Sequence, residues 1–393
     1  MNDLSRICAA AREAEARRHP IWLATVMRVK GSAYRHAGAR MLFSSDQVLA
    51  GSVSGGCLEA SIARKGPWLA RERPVCVSYE GGRDTDDGES PRGTGCDGTV
   101  DILLEKVSFD TPGSVLDALH GCLAHERRCA VVTVYESSDP ALPVGTRLTL
   151  DEGGELSAPS LRGPAVAAFA AFAAAAARAL DDHHSHARTL RVGGIEALLE
   201  VFEPPPHLFV FGSGPDAVPV VEFASGLGLG VTVCDPNPRV AVRERFAALA
   251  ELHLGSLSGV LPKIRVRRTP LAVVMSHHYP TDLAALRLLL DSPAAYLGLL
   301  GPLRRTERML NELFPDASEL RTAARARMHA PIGLDLGAET PPQIALSIVA
   351  EIQAVLARAS AEPLSHDTAR PIHRAEGALE LPLASQLGLT GTE

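Results

Sequence analysis

Apolar residues along this chain gather into short blocks of strand length, broken by polar or glycine-rich segments and interleaved with stretches of helical period. Residues 1–18 have the pattern of an amphipathic helix, and IWLATVMRV (21–29) has the β-branched density of a buried strand. ARMLFS and QVLAGSV read as a hairpin turning across Ser45 and Asp46, and a helix follows over 58–72. VCVSYE (75–80) and TVDILLEKV (99–107) are strands. The segment between them has no apolar residue except Cys96, so it is a solvated excursion or a binding loop.

The same pattern then returns. RRCAVVTVYES leading to VGTRLTLDEGGELSA restates IWLATVMRV leading to AGARMLFSSDQVLAG, with Thr25 aligned on Thr133 and Arg40 on Arg147. Two copies of a strand–hairpin unit predict a single sheet built by duplication, an α+β domain over residues 1–203. The alanine-rich helix 165–180 would cover one face of that sheet, and Glu200–Pro206 reads as an extended linker.

From His207 the period changes to that of alternating strands and helices. HLFVF runs into GSGPDA, with Gly212, Gly214 and Asp216, then an apolar helix, then a strand closing on Asp235. This matches the dinucleotide fingerprint, in which the glycines admit a diphosphate and the acid bonds a ribose hydroxyl. LAVVMSHH (271–278) is a further strand, and TDLAALRLLL a helix capped near Thr281 or Asp282. AAYLGLLG and RRTERMLNELF repeat the alternation, which places His277 and Asp282 at the carboxyl end of a parallel strand. Thr340 and Gln343 form a capping box for the last helix, which runs through Arg358. The fold class is therefore α/β: an N-terminal α+β domain with a repeated strand–hairpin unit, then a Rossmann-like doubly wound parallel sheet over 204–360. Residues 361–393 read as a disordered tail.

Composition narrows the function. Of 393 residues 46% are hydrophobic, enough for a core in each domain, and a net charge of −7 argues against a nucleic-acid or membrane-surface protein, which would need a basic face. Seven cysteines without paired spacing argue against a disulfide framework or structural zinc and predict a reduced, cytoplasmic protein. The segment 165–180 is too short and alanine-rich to span a membrane, and the start of the chain lacks a signal peptide's apolar run. His183, His184 and His186 lie too close together to converge on one ion, so no metal site is read there.

The candidate chemistry centres on Ser54, Gly55, Gly56, Cys57 and Glu59. Small residues leave bare amides open to an anion, and a helix opening at Leu58 would put Cys57 at its N-terminus, where a thiolate is favoured. The plain alternative is a buried cysteine in a tight turn. Cys96, between Gly95 and Asp97, has the same two readings.

These segments resemble the XdhC/CoxI family of molybdenum-cofactor accessory proteins. The likeness rests on GSAYRHAGARML, LAGSVSGGCLE and MHAPIGLDLGAETPPQIALSIVAEI, with the dinucleotide-type loop between, and spans about residues 13–357. It implies a maturation factor rather than a catalyst, one that binds the molybdenum cofactor (molybdopterin, with or without a nucleotide tail), supports its sulfuration and delivers it. The implied partners are an apo-molybdoenzyme client and a cysteine desulfurase, and a homodimer is compatible with the sequence. A glycine-flanked cysteine at the place of Cys96 is also implied, so that Cys57 and Cys96 share one site. An NAD(P)-dependent oxidoreductase using His277 or His278 for proton transfer is the alternative, and a ligand-free docking scaffold a third.

Overall fold

The computed structural model describes residues 2–31, 33–45, 47–56, 58–80, 98–111, 114–159, 164–182, 187–237, 242–246, 249–366 and 379–381. The chain divides at Pro204/Pro205 into two compact units. Cys57, Cys96 and the three histidines at 183, 184 and 186 lie outside the described residues.

The first unit is a duplication. Its first copy runs α1 (Asn2–Ala16), β1 (Ile21–Lys30), β2 (Arg40–Phe43), β3 (Val48–Gly51), α2 (Glu59–Leu69), β4 (Val75–Glu80) and β5 (Thr99–Val107). The second runs α3 (Val115–His125), β6 (Cys129–Ser137), β7 (Arg147–Asp151), β8 (Leu156–Ser157), α4 (Pro164–Asp181), β9 (Arg188–Val192) and β10 (Ile195–Phe202). One sheet has the order β3-β2-β1-β5-β4 and the other contains β8-β7-β6-β10-β9, so the copies match strand for strand. Thr25 pairs with Arg40, and Thr133 pairs with Arg147, in equivalent register.

The single sheet expected from the repeat is therefore two sheets. β1 is hydrogen-bonded on both edges, to β2 and β5, and β6 likewise to β7 and β10, so neither copy has a central edge to offer the other. The sheets meet through side chains instead. Met27 and Leu103 of one pack with Tyr135 and Leu198 of the other. Buried ion pairs cross reciprocally between the sheets, from Arg40 on β2 to Glu200 on β10 and from Arg147 on β7 to Glu105 on β5. The alanine-rich helix α4 covers its own copy's sheet, with Phe169, Phe172 and Ala176 against Val132, Val134 and Leu148. Glu200, Val201 and Phe202 belong to β10, so the linker between units is shorter than the sequence suggests. Leu379–Glu380, in the tail expected to be disordered, form a short strand, β16, parallel to β9.

The second unit alternates β11 (His207–Phe211), α5 (Ala217–Gly226), β12 (Gly230–Asp235), α6 (Val242–Phe246), β13 (Glu251–Leu254), α7 (Val260–Val266), β14 (Pro270–Val274), α8 (Tyr279–Leu290), β15 (Tyr296–Leu299), α9 (Leu303–Leu313), α10 (Ser318–Ala326) and α11 (Pro341–Ala357). All its strands are parallel, in the order β13-β12-β11-β14-β15, and the order in which strands are added reverses between β11 and β14, the topological switch point of the sheet. Alternate residues of β11 serve opposite faces. Leu208 and Val210 pack with α5 and α11, whereas Phe209 and Phe211 pack with α7, α8 and α9. The Gln343 side chain accepts from the Thr340 amide (2.9 Å) at the start of α11, as the capping pattern predicts. α8 begins at Tyr279, earlier than read from sequence, with His278 rather than Thr281 or Asp282 at its cap.

Candidate functional site

Three connections of the first copy leave one end of its sheet. Lys30 pairs with Thr99, Thr99 with Glu80, and Met41 with Gly51. The 31–39 turn, the 52–58 loop and the segment from 81 to 98 therefore all start from that edge. Cys57 and Cys96 belong in sequence to two of these three.

The 52–58 loop is shaped by Glu59, which is only 8% exposed. Its carboxylate accepts from the amides of Ser54 (2.8 Å), Val53 (3.1 Å) and Leu58 (3.2 Å) and from the Ser54 hydroxyl. Ser54 Oγ in turn accepts from the amides of Gly56 (3.1 Å) and Leu58 (3.2 Å). Burial alone would raise the Glu59 pKa, but the bonds from the Ser54 hydroxyl and from loop amides outweigh it, and the net shift is downward. Of the amides that the sequence suggested would be open to an anion, those of Ser54 and Gly56 are thus turned inward, onto Glu59 and Ser54. What the loop presents outward is the Gly55–Gly56 surface, where Gly56 (φ +112°) has open space in place of a side chain.

Beside that surface stands Tyr34, which is 68% exposed. Its ring carbons lie 3.6–3.8 Å from where a Gly55 side chain would begin. Tyr34 also borders a cavity of about 380 Å³, lined further by Arg35, His36, Arg40, Glu200 and Phe202. Arg40 donates to Glu200 Oε1 (2.8 Å) and to the Gly38 carbonyl (2.8 Å), and its guanidinium lies over the Phe202 ring. Tyr34 was not singled out from sequence. A comparison of the two repeats at that turn would have revealed it.

The described thiols are not nucleophiles. Cys8, Cys122, Cys129 and Cys234 are buried in the cores. Burial pushes Cys8 up to about 11 and Cys76, Cys129 and Cys234 up to about 12, so each stays protonated.

In the second unit the groups picked from sequence do gather at the carboxyl edge of the sheet, but the chain's own bonds already occupy them. Gly212 has φ +137°, and a side chain there would lie 2.6 Å from the Met275 carbonyl oxygen, so backbone approach from the end of β14 requires this glycine. A side chain at Gly214 would lie 2.4 Å from Asp216 Oδ1. Asp216 reaches across to His277 Nε2 (2.6 Å), and His277 itself holds a left-handed φ of 59°. Asp235 accepts from the Ser213 hydroxyl and the Asn237 amide (2.8 Å). Asp282, 1% exposed, accepts from Ser276 and from Arg305 (2.6 Å), which fixes the turn after β14 and keeps the carboxylate buried. Among the described residues no group of three or more His, Cys, Asp or Glu could hold a metal ion. No helix among them is long and apolar enough to cross a membrane.

Fold and site together define a two-unit α/β protein that joins a duplicated antiparallel unit, carrying a glycine loop on one copy only, to a dinucleotide-type parallel sheet. Residues 14–80 match the model of the XdhC and CoxI family, and residues 208–352 match that of the XdhC Rossmann domain. The chain belongs to the XdhC and CoxI family. It is 29% identical over 334 residues to a Bacillus subtilis protein described as a probable xanthine dehydrogenase subunit, covering 84% of this chain and 91% of that one. A crystal structure described as a xanthine dehydrogenase from Bacillus halodurans is 26% identical with a TM-score of 0.69, covering 93% of this chain and 99% of that one. An uncharacterized Escherichia coli protein, YqeB, is 30% identical over 163 residues, which are 41% of this chain and 29% of YqeB.

Proposed function

We propose that this chain is an accessory protein for a xanthine-dehydrogenase-type molybdoenzyme, binding the molybdenum cofactor, supporting its sulfuration with sulfur from a cysteine desulfurase, and delivering it to the apo-enzyme. Family membership and the relatives' association with xanthine dehydrogenase support the reading. The observation that carries it is the Glu59-held loop. A buried carboxylate organises a Ser-Gly-Gly segment that has no core to pack, and Cys57 lies in sequence between Gly56 and Leu58, the two residues whose amides Ser54 fixes.

The residues fit a sulfur-bearing, planar group better than a phosphate. The outward surface of the loop is free of side chains at Gly56, whereas the loop amides at Ser54, Gly56 and Leu58 are already bonded internally. Cys57 would supply the thiol, with Cys96 as its rival, and Gly55 and Gly56 would allow the close approach. When bound, the cofactor supplies molybdenum held by a pterin dithiolene. The Gly212–Asp216 loop and Asp235 would take a nucleotide portion only after Ser213 releases the carboxylate. An NAD(P) oxidoreductase would use this second unit alone and would leave the first-copy edge without a role.

The test is client activation. Chain purified from a host that makes the cofactor is mixed with an apo-form xanthine-dehydrogenase-type enzyme, and hydroxylase activity is followed. Wild type should activate the client and a folded Cys57→Ser variant should activate it far less. No activation by wild type would overturn the proposal.

A further inference from the structure

The duplication supplies an internal control for what the fold alone requires. In both copies the strand leads into the same turn. Gly38 N–H donates to the Val26 carbonyl (2.8 Å) and Gly145 N–H to the Val134 carbonyl (2.8 Å), and Val26 and Val134 donate back to Ala39 and Thr146 (2.9 Å each). Gly38 and Gly145 hold φ of 88° and 89°. Ala39 donates to the His36 carbonyl (3.1 Å) and Thr146 to that of Pro143 (3.0 Å). Counting back from Arg40 and Arg147, Tyr34, Arg35 and His36 in the first copy stand where the second has Ala141, Leu142 and Pro143.

The second copy shows what this turn does when it is only structural. Leu142 is fully buried and packs into the core beneath α4. In the first copy the equivalent stretch lines the cavity of about 380 Å³ and leaves the Tyr34 ring exposed beside Gly55. An aromatic ring, a guanidinium and an imidazole have replaced an alanine, a leucine and a proline with no demand from the backbone. The Arg40–Glu200 pair at the cavity wall has its counterpart in Arg147–Glu105, so it belongs to the fold and not to the difference. What remains specific to the cavity is one flat apolar face and two basic groups, in a volume within the range of small-ligand pockets. A planar heteroaromatic ring with an anionic substituent satisfies all three, through stacking on the tyrosine and charge attraction at the rim.

We infer that this cavity seats the pterin ring of the cofactor, with Tyr34 as its stacking face and Arg35 and His36 turned to its anionic portion. The inference rests on the proposed function and names where on the first copy the ligand lies. It places the ring against Gly55, two residues before Cys57 in the same loop.

The experiment titrates free pterin into the full chain and follows quenching of pterin fluorescence. Tyr34→Ala should weaken binding about tenfold or more, as loss of a stacking partner does, and Tyr34→Phe should stay within about threefold of wild type. The triple variant Tyr34→Ala/Arg35→Leu/His36→Pro carries the second copy's residues, so it should fold with an unchanged melting temperature and lose binding. Wild-type affinity in Tyr34→Ala, or no binding by wild type, overturns the assignment. Cofactor content of the purified wild type separates the two claims. Cofactor retained without any Tyr34 dependence sinks the cavity assignment and leaves the function standing. Tyr34-dependent pterin binding in a chain that retains no cofactor does the reverse.

Discussion

Replacing Glu59 by Gln isolates the group that shapes the glycine loop. The carboxylate accepts through Oε1 from Val53 and Ser54 amides and through Oε2 from the Leu58 amide and the Ser54 hydroxyl. A glutamine keeps one acceptor oxygen for the first pair and turns an NH₂ toward the second, facing the Leu58 N–H donor to donor. Two bonds to a charged acceptor are lost, each worth about 1.5–3 kcal/mol. Reorientation of the Ser54 hydroxyl recovers part, so the net cost is about 2–4 kcal/mol. For a unit of this size each kcal/mol shifts the melting temperature by about 2–4 °C, which gives a fall of roughly 4–16 °C. The contribution also depends on pH. The folded pKa of Glu59 lies below its unfolded value, so the stabilisation is complete above about pH 4.5 and fades as pH falls through the lowered folded value. Calorimetry of both proteins at neutral pH, with amide exchange at residues 54, 56 and 58, measures the effect. An unchanged melting temperature together with unchanged protection of those amides would refute the idea that Glu59 holds the loop.

Arg40→Met should cost about 3–5 kcal/mol in a denaturant titration because Glu200 is left buried without its partner, and adding Glu200→Leu should restore most of it; equal losses in the single and double variants would contradict this. Gly212→Ala should destabilise the second unit by about 2–4 kcal/mol, from left-handed backbone strain and the clash with the Met275 carbonyl, read as a lowered unfolding midpoint. His207, buried against Thr232, has its pKa pushed down to about 4 by burial, with help from Arg267 and Lys263. The unfolded state therefore takes up the proton first, and the second unit should lose stability as pH falls from about 6.5 to about 4, a slope that His207→Gln should flatten.

The legible part of this fold was the local part. β4, β5, β11 and β12 begin and end where apolar alternation and flanking glycines place them, and the strand–loop–helix–acid spacing identified the parallel sheet. Periodicity says that a segment is a strand but not which edges it will pair. The repeat at Thr25/Thr133 therefore suggested one sheet, while β5 and β10, each closing its own copy, make two. At the site, residue types pointed to the right loops and misjudged their bonds. Gly212 is required by the backbone of Met275, Asp282 is drawn inward by Arg305, and the Ser54 amide is satisfied by a glutamate five residues along. Side chains that reach back to their own loop leave no periodic trace. Tyr34 was hidden for the opposite reason: it lies in a segment read only as part of a motif, and its meaning comes from the alanine at the same turn of the second copy.

The most direct test of the account is the molybdenum and pterin content of the wild-type chain purified from a host that makes the cofactor. Metal analysis and fluorescence of the oxidised pterin are read on the same sample, beside folded Cys57→Ser and Tyr34→Ala variants. The account predicts molybdenum and pterin in equal amounts on the wild type and markedly less of both on each variant. Wild-type protein that carries neither, from a host whose own molybdoenzymes are active, would contradict it.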